Sequence, residues 1–311
     1  MMTVSSERMT VAVVLVNWSS GVYTSDCLRS LNSGTIVPDR IMVFDNGSTD
    51  GSPAMIAREF PEAELIMHDR NIGFAAACNV CIRKAMESDI NVVWLLNNDT
   101  VVDHDCLAKL LEELSKPNVD VVTSKILFFD DADRLWYAGG GWKRWCLEAR
   151  QIGYGEKDFG QYDQPLEVTF VSGCCLMARV SVFERVGLLN EKYFAYSEDA
   201  EWCLRAMSAG MHMRYLPQAR ILHKESASVR KNTMAGEKGR YSSFVVEISV
   251  RNRFFLIRQH AHRPWQFLIA FGKIMMDCTR TGCILIVLGR IQKLKALVKG
   301  MWEGLTQNPG R

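Results

Sequence analysis

The sequence lacks the glycine-rich loops with which many nucleotide-binding enzymes hold phosphate. Its first apolar run, VAVVLVNW, is rich in β-branched residues, which is typical of a strand covered on both faces of a parallel sheet. The residues around the end of that strand, NWSSGVY, match neither G-x-G-x-x-G nor G-x-x-x-x-G-K-[ST]. This absence disfavours a Rossmann dehydrogenase and a P-loop ATPase.

The sequence also lacks an excess of charge of one sign. Its 37 Lys and Arg residues are nearly balanced by 35 Asp and Glu residues. No overall basic field therefore favours nucleic acid as a partner, and we expect none.

The ten cysteines follow no pattern typical of a disulfide framework or a zinc site. Cys78 and Cys81 form a single C-x-x-C, but no second pair stands at zinc-site spacing. The first apolar run begins with VAVVLV and stops after six residues, so we expect a strand and not a signal peptide. Reduced thiols and no leader predict a cytoplasmic protein.

Long uncharged apolar runs are absent as well. None reaches the roughly 18 residues that a membrane-spanning helix needs, because Lys273, Asp277 and Arg280 interrupt the apolar C-terminal segment. Two interpretations of this segment stay open: amphipathic helices on a membrane surface, such as the inner face of the plasma membrane, or helices packed on the main domain. We divide the chain into a main domain, 10–261, and an amphipathic helical segment, 262–311.

What the sequence does contain is a regular alternation of apolar strands and helical patterns over its first 116 residues. Such alternation predicts an α/β fold with a doubly wound, mainly parallel sheet flanked by helices. Ligands bind such sheets outside the carboxyl ends of the strands. Four polar residues fall at such ends: Asn17, Asp45, Arg70 and Asp99.

Beyond the fourth strand the pattern loosens. Residues 119–165 are rich in Gly and aromatic residues and predict strands and mobile loops over the ligand crevice. Order then returns with a strand, a short helix and a polar turn, before a helix that begins near Glu198.

Six segments follow one another in a recognisable order: VVLVNW, FDNGSTDGS, DRNIGFAAACN, LLNNDT, SGCCLMARVSVFERVGLLNEKYFAYSEDAEWCLRA and ILHKESAS. In that order they resemble the family-2 inverting glycosyltransferases with the GT-A fold, and most closely the bacterial rhamnosyltransferase-like branch. The segment YSSFVVEISVRNRFFLIRQH is similar to an aromatic and Arg-Asn segment of that branch. The resemblance covers residues 11–260 and implies transfer of a sugar from a nucleotide diphosphate.

The resemblance implies a divalent cation, Mg2+ or Mn2+, bound to Asp99 and His223. Such a cation stabilises the negative charge that the leaving diphosphate gains in the transition state. Taken alone, Asp99 could cap the following helix, and His223 could be an ordinary strand-end histidine. Asn97 stands where the family often has the first carboxylate of D-x-D, so we assign Asn97 to the nucleotide sugar.

For the nucleotide, the resemblance implies that Asp45 reads the base, because its carboxylate can accept the imide N–H of uracil or thymine. The rest of the nucleotide-sugar pocket is assigned to Asn17, Arg70, Asn71, Gly73 and Asn79. From the residues alone, Asp45 could equally form an Asx-turn, and Asn71 and Gly73 could be turn residues.

Inverting transfer needs a base that removes the proton of the acceptor hydroxyl as its oxygen attacks the anomeric carbon. The resemblance assigns this base to Asp199, with Glu198 as the alternative. Neighbouring carboxylates at the start of a helix are also ordinary caps and dipole partners. Trp202 is a candidate for stacking on the acceptor sugar, and it could equally be a buried core residue.

The expected activity is metal-dependent inverting transfer from a UDP- or dTDP-sugar, with dTDP-L-rhamnose as the favoured donor. The expected acceptor is a hydroxyl of a cell-surface or lipid-linked glycan. Two alternatives stay open. One is a non-catalytic sugar-nucleotide-binding module, with Asn97 as the trace of lost metal binding. The other is a sugar-nucleotide pyrophosphorylase, which would need a Gly-rich loop where this chain has NWSSG.

Overall fold

A computed structural model of the protein describes residues 8–224 and 241–310. Within these residues, ten strands form one mixed sheet, and two more form a separate hairpin. The strands are β1 (Val11–Asn17), β2 (Arg40–Asn46), β3 (Glu64–His68), β4 (Val92–Leu96), β5 (Thr100–Val102), β6 (Val121–Phe128), β7 (Asp131–Tyr137), β8 (Gly140–Lys143), β9 (Glu148–Gln151), β10 (Leu166–Val168), β11 (Cys175–Arg179) and β12 (Met213–His223).

Helices flank this sheet and continue beyond it. They are α1 (Gly21–Asn32), α2 (Ser52–Glu59), α3 (Phe74–Met86), α4 (Cys106–Leu114), α5 (Val180–Val186), α6 (Glu198–Ser208), α7 (Ser243–His260), α8 (Pro264–Val287) and α9 (Ile291–Thr306). A short 3-10 helix, Glu191–Tyr193, precedes α6. α6 begins at Glu198, as the sequence pattern predicts.

The N-terminal alternation forms four parallel strands in the order β4-β1-β2-β3. The register places Asn17 opposite Asp45, and Asp45 opposite Met67. Strands β1 and β4 are buried along nearly their whole length, as expected for strands covered on both faces. Because the four strands run in one direction, their carboxyl ends share one edge of the sheet.

The second half of the sheet is joined through an antiparallel strand. β11 lies between β4 and β6 and is antiparallel to both, and β12 runs parallel to β6. β12 also pairs with the short strand β5, which places His223 opposite Thr100. The end of β12 therefore meets the segment that follows β4.

The thiols behave as the sequence predicts. All ten cysteines lie in the described part of the chain, all are free, and nine are buried. Cys78 and Cys81 of α3 belong to the main hydrophobic core. They pack there as small apolar side chains.

The last three helices pack on one another. A Cβ on Gly300 of α9 would collide with the backbone oxygen of Glu247 in α7, and one on Gly304 would lie 2.7 Å from Cβ of Phe254. The close crossing of α9 and α7 therefore requires glycine at both of these positions of α9. α7 belongs to the predicted main domain and α9 to the predicted C-terminal segment, so the two units share a packed interface.

A small core joins all three of these helices. Phe254 of α7, Ile274 of α8 and Leu297 of α9 are among its buried residues. Among residues 8–224 and 241–310, no helix combines the length and the hydropathy that crossing a bilayer requires. One side of the C-terminal helices thus packs against α7, as the second of the two interpretations predicts.

Candidate active site

Asp99 and His223 form a buried pair where β12 ends beside the segment that follows β4. Oδ1 of Asp99 and Nε2 of His223 lie 3.1 Å apart, and both side chains are almost fully buried. Trp136 of β7 covers the imidazole, with ring centroids 4.6 Å apart. Nδ1 of His223 is buried without a hydrogen-bond partner among the described residues. One carboxylate oxygen beside one imidazole nitrogen is a donor set that suits a divalent cation.

The protein can offer such a cation few side chains of its own. Across the described residues, no group of three or more His, Cys, Asp or Glu side chains is placed to hold a metal ion. Mg2+ is commonly held by one or two protein carboxylates, with water and substrate phosphate completing its shell. Asp99 and His223 therefore fit a cation that also binds the diphosphate of a nucleotide.

Asp199 is held by the segment that leads into β11. The backbone N–H of Gly173 donates to Oδ2 of Asp199 at 2.8 Å. The carbonyl oxygen of the next residue, Cys174, accepts the N–H of Asn97 at 3.1 Å. The Gly173–Cys174 dipeptide therefore ties the candidate base to the segment that carries the candidate metal ligand.

The carboxylates of Asp99 and Asp199 also act electrostatically on one thiol, that of Cys174. Burial raises the pKa of Cys174 well above its ordinary value, and the negative charges of Asp99 and Asp199 raise it further. Both carboxylates therefore lie close enough to act on the same buried side chain.

Glu198 and Asp199 differ in their surroundings. Oε2 of Glu198 is buried without a hydrogen-bond partner among the described residues. Burial and the neighbouring charge of Asp199 raise the pKa of Glu198 to about 8. Burial also raises the pKa of Asp199, but the N–H groups of Gly173 and Ala200 oppose this by hydrogen-bonding its carboxylate. At neutral pH the negative charge of the pair is therefore favoured on Asp199.

Asn17 and Asp45 meet at the ends of β1 and β2. Nδ2 of Asn17 donates to Oδ2 of Asp45 at 2.7 Å, and its Oδ1 accepts from Oγ1 of Thr24 at 2.8 Å. Oδ1 of Asp45 accepts the N–H of Ser48 at 3.0 Å, and Oδ2 accepts its hydroxyl at 2.6 Å. Asp45 therefore holds the turn after β2 through Ser48, three residues on and not the two residues of an Asx-turn, and both Asn17 and Asp45 are fully buried.

Asn71 and Gly73 shape the turn that follows β3. Oδ1 of Asn71 accepts the N–H of Gly73 at 2.9 Å. Gly73 has a φ of 92°, and a Cβ there would lie 2.7 Å from the carbonyl oxygen of Phe194. Turn formation and close approach therefore explain both residues. Arg70, just before them, is exposed.

The side chains of Asn79 and Trp202 are engaged in packing. Nδ2 of Asn79 donates to the carbonyl oxygen of Leu189 at 2.8 Å, and its Oδ1 accepts the N–H of Leu189 at 3.0 Å. Trp202 is fully buried, and its Nε1 donates to the carbonyl oxygen of Gly187 at 2.9 Å. No indole face of Trp202 is open to an acceptor sugar, so its buried alternative is the one that the structure shows.

Asn252 was missed as a residue that shapes the site. The two side-chain N–H groups of this fully buried residue are shared among three carbonyl oxygens, which lie 2.9 Å (Tyr193), 2.9 Å (Ala195) and 2.6 Å (Tyr196) from Nδ2. The turn that it holds contains positive φ angles at Phe194 (64°), Tyr196 (66°) and Ser197 (70°), directly before Glu198. Strain of this kind persists only where its surroundings enforce it. The pair Arg251 and Asn252, in the segment that resembles the rhamnosyltransferase-like branch, was the signal in the sequence from which this role could have been predicted.

Comparisons with known proteins place this geometry in a family. The family model described as Glycosyl transferase family 2 matches residues 12–187. An N-acetylglucosaminyl-diphospho-decaprenol L-rhamnosyltransferase of Mycobacterium tuberculosis is 27% identical over 263 residues, which cover 77% of this chain and 84% of the relative. A dTDP-rhamnosyl transferase of Shigella flexneri is 24% identical over 270 residues, covering 85% of this chain and 86% of the relative.

Two solved structures share the architecture. GalNAc-T7 with UDP, GalNAc and Mn2+ has a TM-score of 0.59 and 16% identity, over 88% of this chain and 55% of that chain. The mannosyltransferase PcManGT from Pyrobaculum calidifontis, in complex with GDP-Man and Mn2+, has a TM-score of 0.58 and 14% identity, over 97% of this chain and 89% of that chain. These similarities confirm the predicted GT-A type fold.

Proposed function

This chain belongs to glycosyl transferase family 2, and from that premise we propose that it transfers L-rhamnose from dTDP-L-rhamnose, or a related sugar from a UDP-sugar, with inversion. Two relatives whose names specify rhamnosyl transfer support the choice of sugar. A relative named for a diphospho-decaprenol acceptor supports a lipid-linked saccharide as the acceptor class. The family itself establishes the chain as a glycosyltransferase.

One observation carries the proposal. Asp99 and His223, which are 124 residues apart in the sequence, bring a carboxylate oxygen and an imidazole nitrogen to within 3.1 Å of each other at the strand ends. The hydrogen bonds of Gly173 and Cys174 connect this pair to Asp199. A sugar-nucleotide transferase needs a diphosphate-binding group and a base in one crevice, and this arrangement supports both roles.

We assign Asp99 and His223 to a divalent cation, Mg2+ or Mn2+. When bound, such an ion supplies positive charge to the leaving diphosphate. We assign the side chain of Asn97 to the nucleotide sugar. Among the described residues, no hydrogen bond from that side chain competes with this role.

Asp199 is the proposed base. The N–H of Gly173 orients its carboxylate, and burial raises its pKa, which makes it a stronger proton acceptor than an exposed aspartate. The acceptor oxygen forms the new bond to the anomeric carbon while the bond to the diphosphate breaks on the opposite face. The hydroxyl proton passes to Asp199. Glu198, whose pKa is raised to about 8, stays protonated at neutral pH.

The remaining predicted residues take two kinds of role. Asp45 is the proposed base reader, and the amide of Asn17 orients its carboxylate. Arg70 is exposed at the same edge and is proposed to contact the nucleotide directly. Backbone shape near the nucleotide is the proposed contribution of Asn71, Gly73 and Asn79.

The helices α8 and α9 are proposed to lie against an anionic membrane surface. Residues 262–311 contain eight Lys and Arg residues and two Asp and Glu residues, a net charge of +6 in a chain whose total is +2. The corner between the two helices exposes Ile286, Val287, Leu288 and Ile291. Cationic residues beside exposed apolar ones are typical of helices that bind at a membrane interface.

The direct test is release of nucleoside diphosphate from dTDP-L-rhamnose and from UDP-sugars, with an acceptor present. We expect release that depends on Mn2+ or Mg2+, stops with EDTA and is lost in Asp99→Ala. Nucleotide binding that needs no metal and leads to no turnover in the wild type would instead favour the non-catalytic module and contradict the proposal.

A further inference from the structure

A cleft separate from the candidate active site lies at the C-terminal end of α6, whereas the candidate base Asp199 lies at the N-terminal end of this helix. It has a volume of about 560 Å³ and is enclosed by the β8–β9 hairpin, the C-terminal half of α6 and the beginning of α8. Three tryptophans, Trp142, Trp145 and Trp265, line it, and we call it the tryptophan cleft. Trp145 and Trp265 are 51% and 48% exposed, which is unusual for such large apolar side chains. About half of each of these two side chains is therefore accessible to a ligand.

The ionisable side chains that line the tryptophan cleft are basic. Arg144, His262 and Arg263 are exposed there, and no Asp or Glu stands among the described residues that line it. α8, a helix of 24 residues, begins at Pro264 and adds the positive end of its dipole. Guanidinium groups bind phosphate oxygens in a bidentate manner. The cleft therefore suits a phosphate-bearing ligand.

Hydrogen bonds fix the walls of the tryptophan cleft. Nε1 of Trp142 donates to the carbonyl oxygen of Thr169 at 3.0 Å. Nε2 of Gln266 donates to the carbonyl oxygen of Arg144 at 2.5 Å and so ties α8 to the hairpin. The indole of Trp142 and the start of α8 are thereby held in place along the walls of the cavity.

The cleft is connected to the candidate active site through α6. Asp199 lies in the first turn of this helix, whereas Leu204 and Ser208 line the cleft. At a rise of 1.5 Å per residue, roughly 8 to 14 Å of helix separates them. On the other side, Thr169 precedes the Gly173 that holds Asp199 by four residues. A ligand in the cleft must therefore reach roughly 8 to 14 Å along α6 to meet the base.

An apolar strip on α8 leads away from the cleft. Trp265, Leu268, Ile269 and Met276 are all exposed, and their spacing places them on neighbouring positions of one helix face. The cleft thus combines a cationic, aromatic end with an apolar extension. This combination matches a ligand with a phosphorylated saccharide head and a hydrocarbon chain.

We propose that the tryptophan cleft binds the acceptor as a phosphorylated saccharide carried on an apolar chain. Its phosphate contacts Arg144 and Arg263, its saccharide runs from Trp145 and Trp265 along α6 toward Asp199, and its chain follows the strip on α8. This inference rests on the proposed function, because only a transferase needs an acceptor. It replaces Trp202 with surface tryptophans as the aromatic contact.

The test measures binding of a short-prenyl diphospho-N-acetylglucosamine to the full chain by calorimetry. The variant Arg144→Ala/Arg263→Ala is expected to bind at least about 10-fold more weakly, since hydrogen bonds to charged groups are lost. Trp145→Ala is also expected to bind more weakly. Arg150→Ala and Trp302→Ala remove an exposed cation and an exposed indole outside the cleft, so we expect them to bind as the wild type does.

The outcomes separate the two proposals. Equal affinity of the double Arg variant and the wild type would overturn the cleft assignment. So would a wild type that releases nucleotide from its donor but does not bind the probe. A double variant that loses only its binding to anionic phospholipid vesicles would make the cleft a headgroup site instead. Saccharide binding without nucleotide release from any donor would contradict the transferase proposal and leave the cleft a binding site for the phosphorylated saccharide, with no acceptor role.

Discussion

Glu198 and Asp199 are adjacent carboxylates that the fold places in different hydrogen-bonding surroundings. Asp199 accepts the N–H of Gly173 at 2.8 Å, whereas Oε2 of Glu198 has no partner among the described residues. Glu198 is also the more deeply buried of the two. The pair therefore divides into one carboxylate suited to carry charge and one suited to stay protonated.

Asp199→Asn is expected to lower the transfer rate by about 10²- to 10⁴-fold, the usual contribution of a general base. The amide keeps the shape of the side chain but cannot take a proton. Donor binding, measured as the nucleotide-induced rise in Tm, should persist. Glu198→Gln is the matched control, and a larger loss of rate in that variant would move the base to Glu198.

Stability is expected to fall as the pH rises, because burial raises the pKa of Glu198 from 4.5 to about 8. Below the unfolded pKa both states hold the proton. Between the unfolded pKa and the folded pKa, the unfolded state releases its proton while the native state retains it, and this difference lowers the stability of the native state. Above the folded pKa the native state buries the charge, and the loss of stability has reached its full size. Glu198→Gln should therefore gain a few kcal/mol of unfolding free energy over wild type between about pH 5 and pH 9.

Urea unfolding of both proteins across this range measures the effect. The exposed carboxylate of Glu184 on α5 offers a control, and Glu184→Gln should follow the wild type at each pH. Parallel pH profiles for Glu198→Gln and wild type would show that Glu198 does not carry the penalty.

Asp99→Ala and His223→Ala are each expected to weaken Mn2+ binding by at least about 10-fold in the presence of nucleoside diphosphate. Each change removes one of the two adjacent donors, which lie 3.1 Å apart. Titration of free Mn2+ by electron paramagnetic resonance measures this without turnover. Asp103→Ala removes a nearby exposed carboxylate and should bind Mn2+ normally. Wild-type affinity in both site variants would place the metal elsewhere.

Gly300→Ala is expected to destabilise the protein by about 1 to 3 kcal/mol, in the range of an overpacked core. Its Cβ would collide with the backbone oxygen of Glu247, so α9 and α7 must move apart. Gly272 on α8 has open space around it, and Gly272→Ala should instead stabilise the helix by up to about 1 kcal/mol. Thermal unfolding compares the two, and equal Tm shifts would mean that the crossing is not tight.

Val287→Glu/Leu288→Glu is expected to reduce co-sedimentation with anionic phospholipid vesicles. The change adds negative charge to an exposed apolar corner and should leave the fold intact, since both side chains face solvent. Binding by wild type should also weaken as salt is added. Met67→Glu alters an exposed apolar residue on β3 and serves as the control. Undiminished sedimentation of the double variant would exclude this corner as the membrane contact.

Sequence periodicity could predict the parallel half of the sheet because its strands β1, β2 and β4 are buried on both faces. That requirement leaves a continuous apolar run in β1 and β4. It also placed Asn17, Asp45 and Asp99 at one edge, since parallel strands end together. The strands between 119 and 165 were harder to locate, because β7 alternates irregularly and β8 and β9 have only four residues each.

The orientation of individual side chains was beyond the sequence. Asn79 and Trp202 both lie in helices whose pattern leaves their direction open, and the structure turns both toward backbone carbonyls. Asn252 holds a strained turn more than 50 residues away from it in the chain. Contacts of this range depend on how whole elements pack, which local patterns do not encode.

The sequence by itself determined the family, the α/β alternation and the set of polar residues at strand ends, because burial periodicity and ordered motifs are local properties of the chain. Only the tertiary structure decided which of these residues meet. Asp99 reaches His223 because β12 pairs with β5, and Asp199 reaches Gly173 because β11 inserts antiparallel between β4 and β6. These pairings join distant segments through backbone hydrogen bonds, whose register is fixed by the packing of the complete sheet.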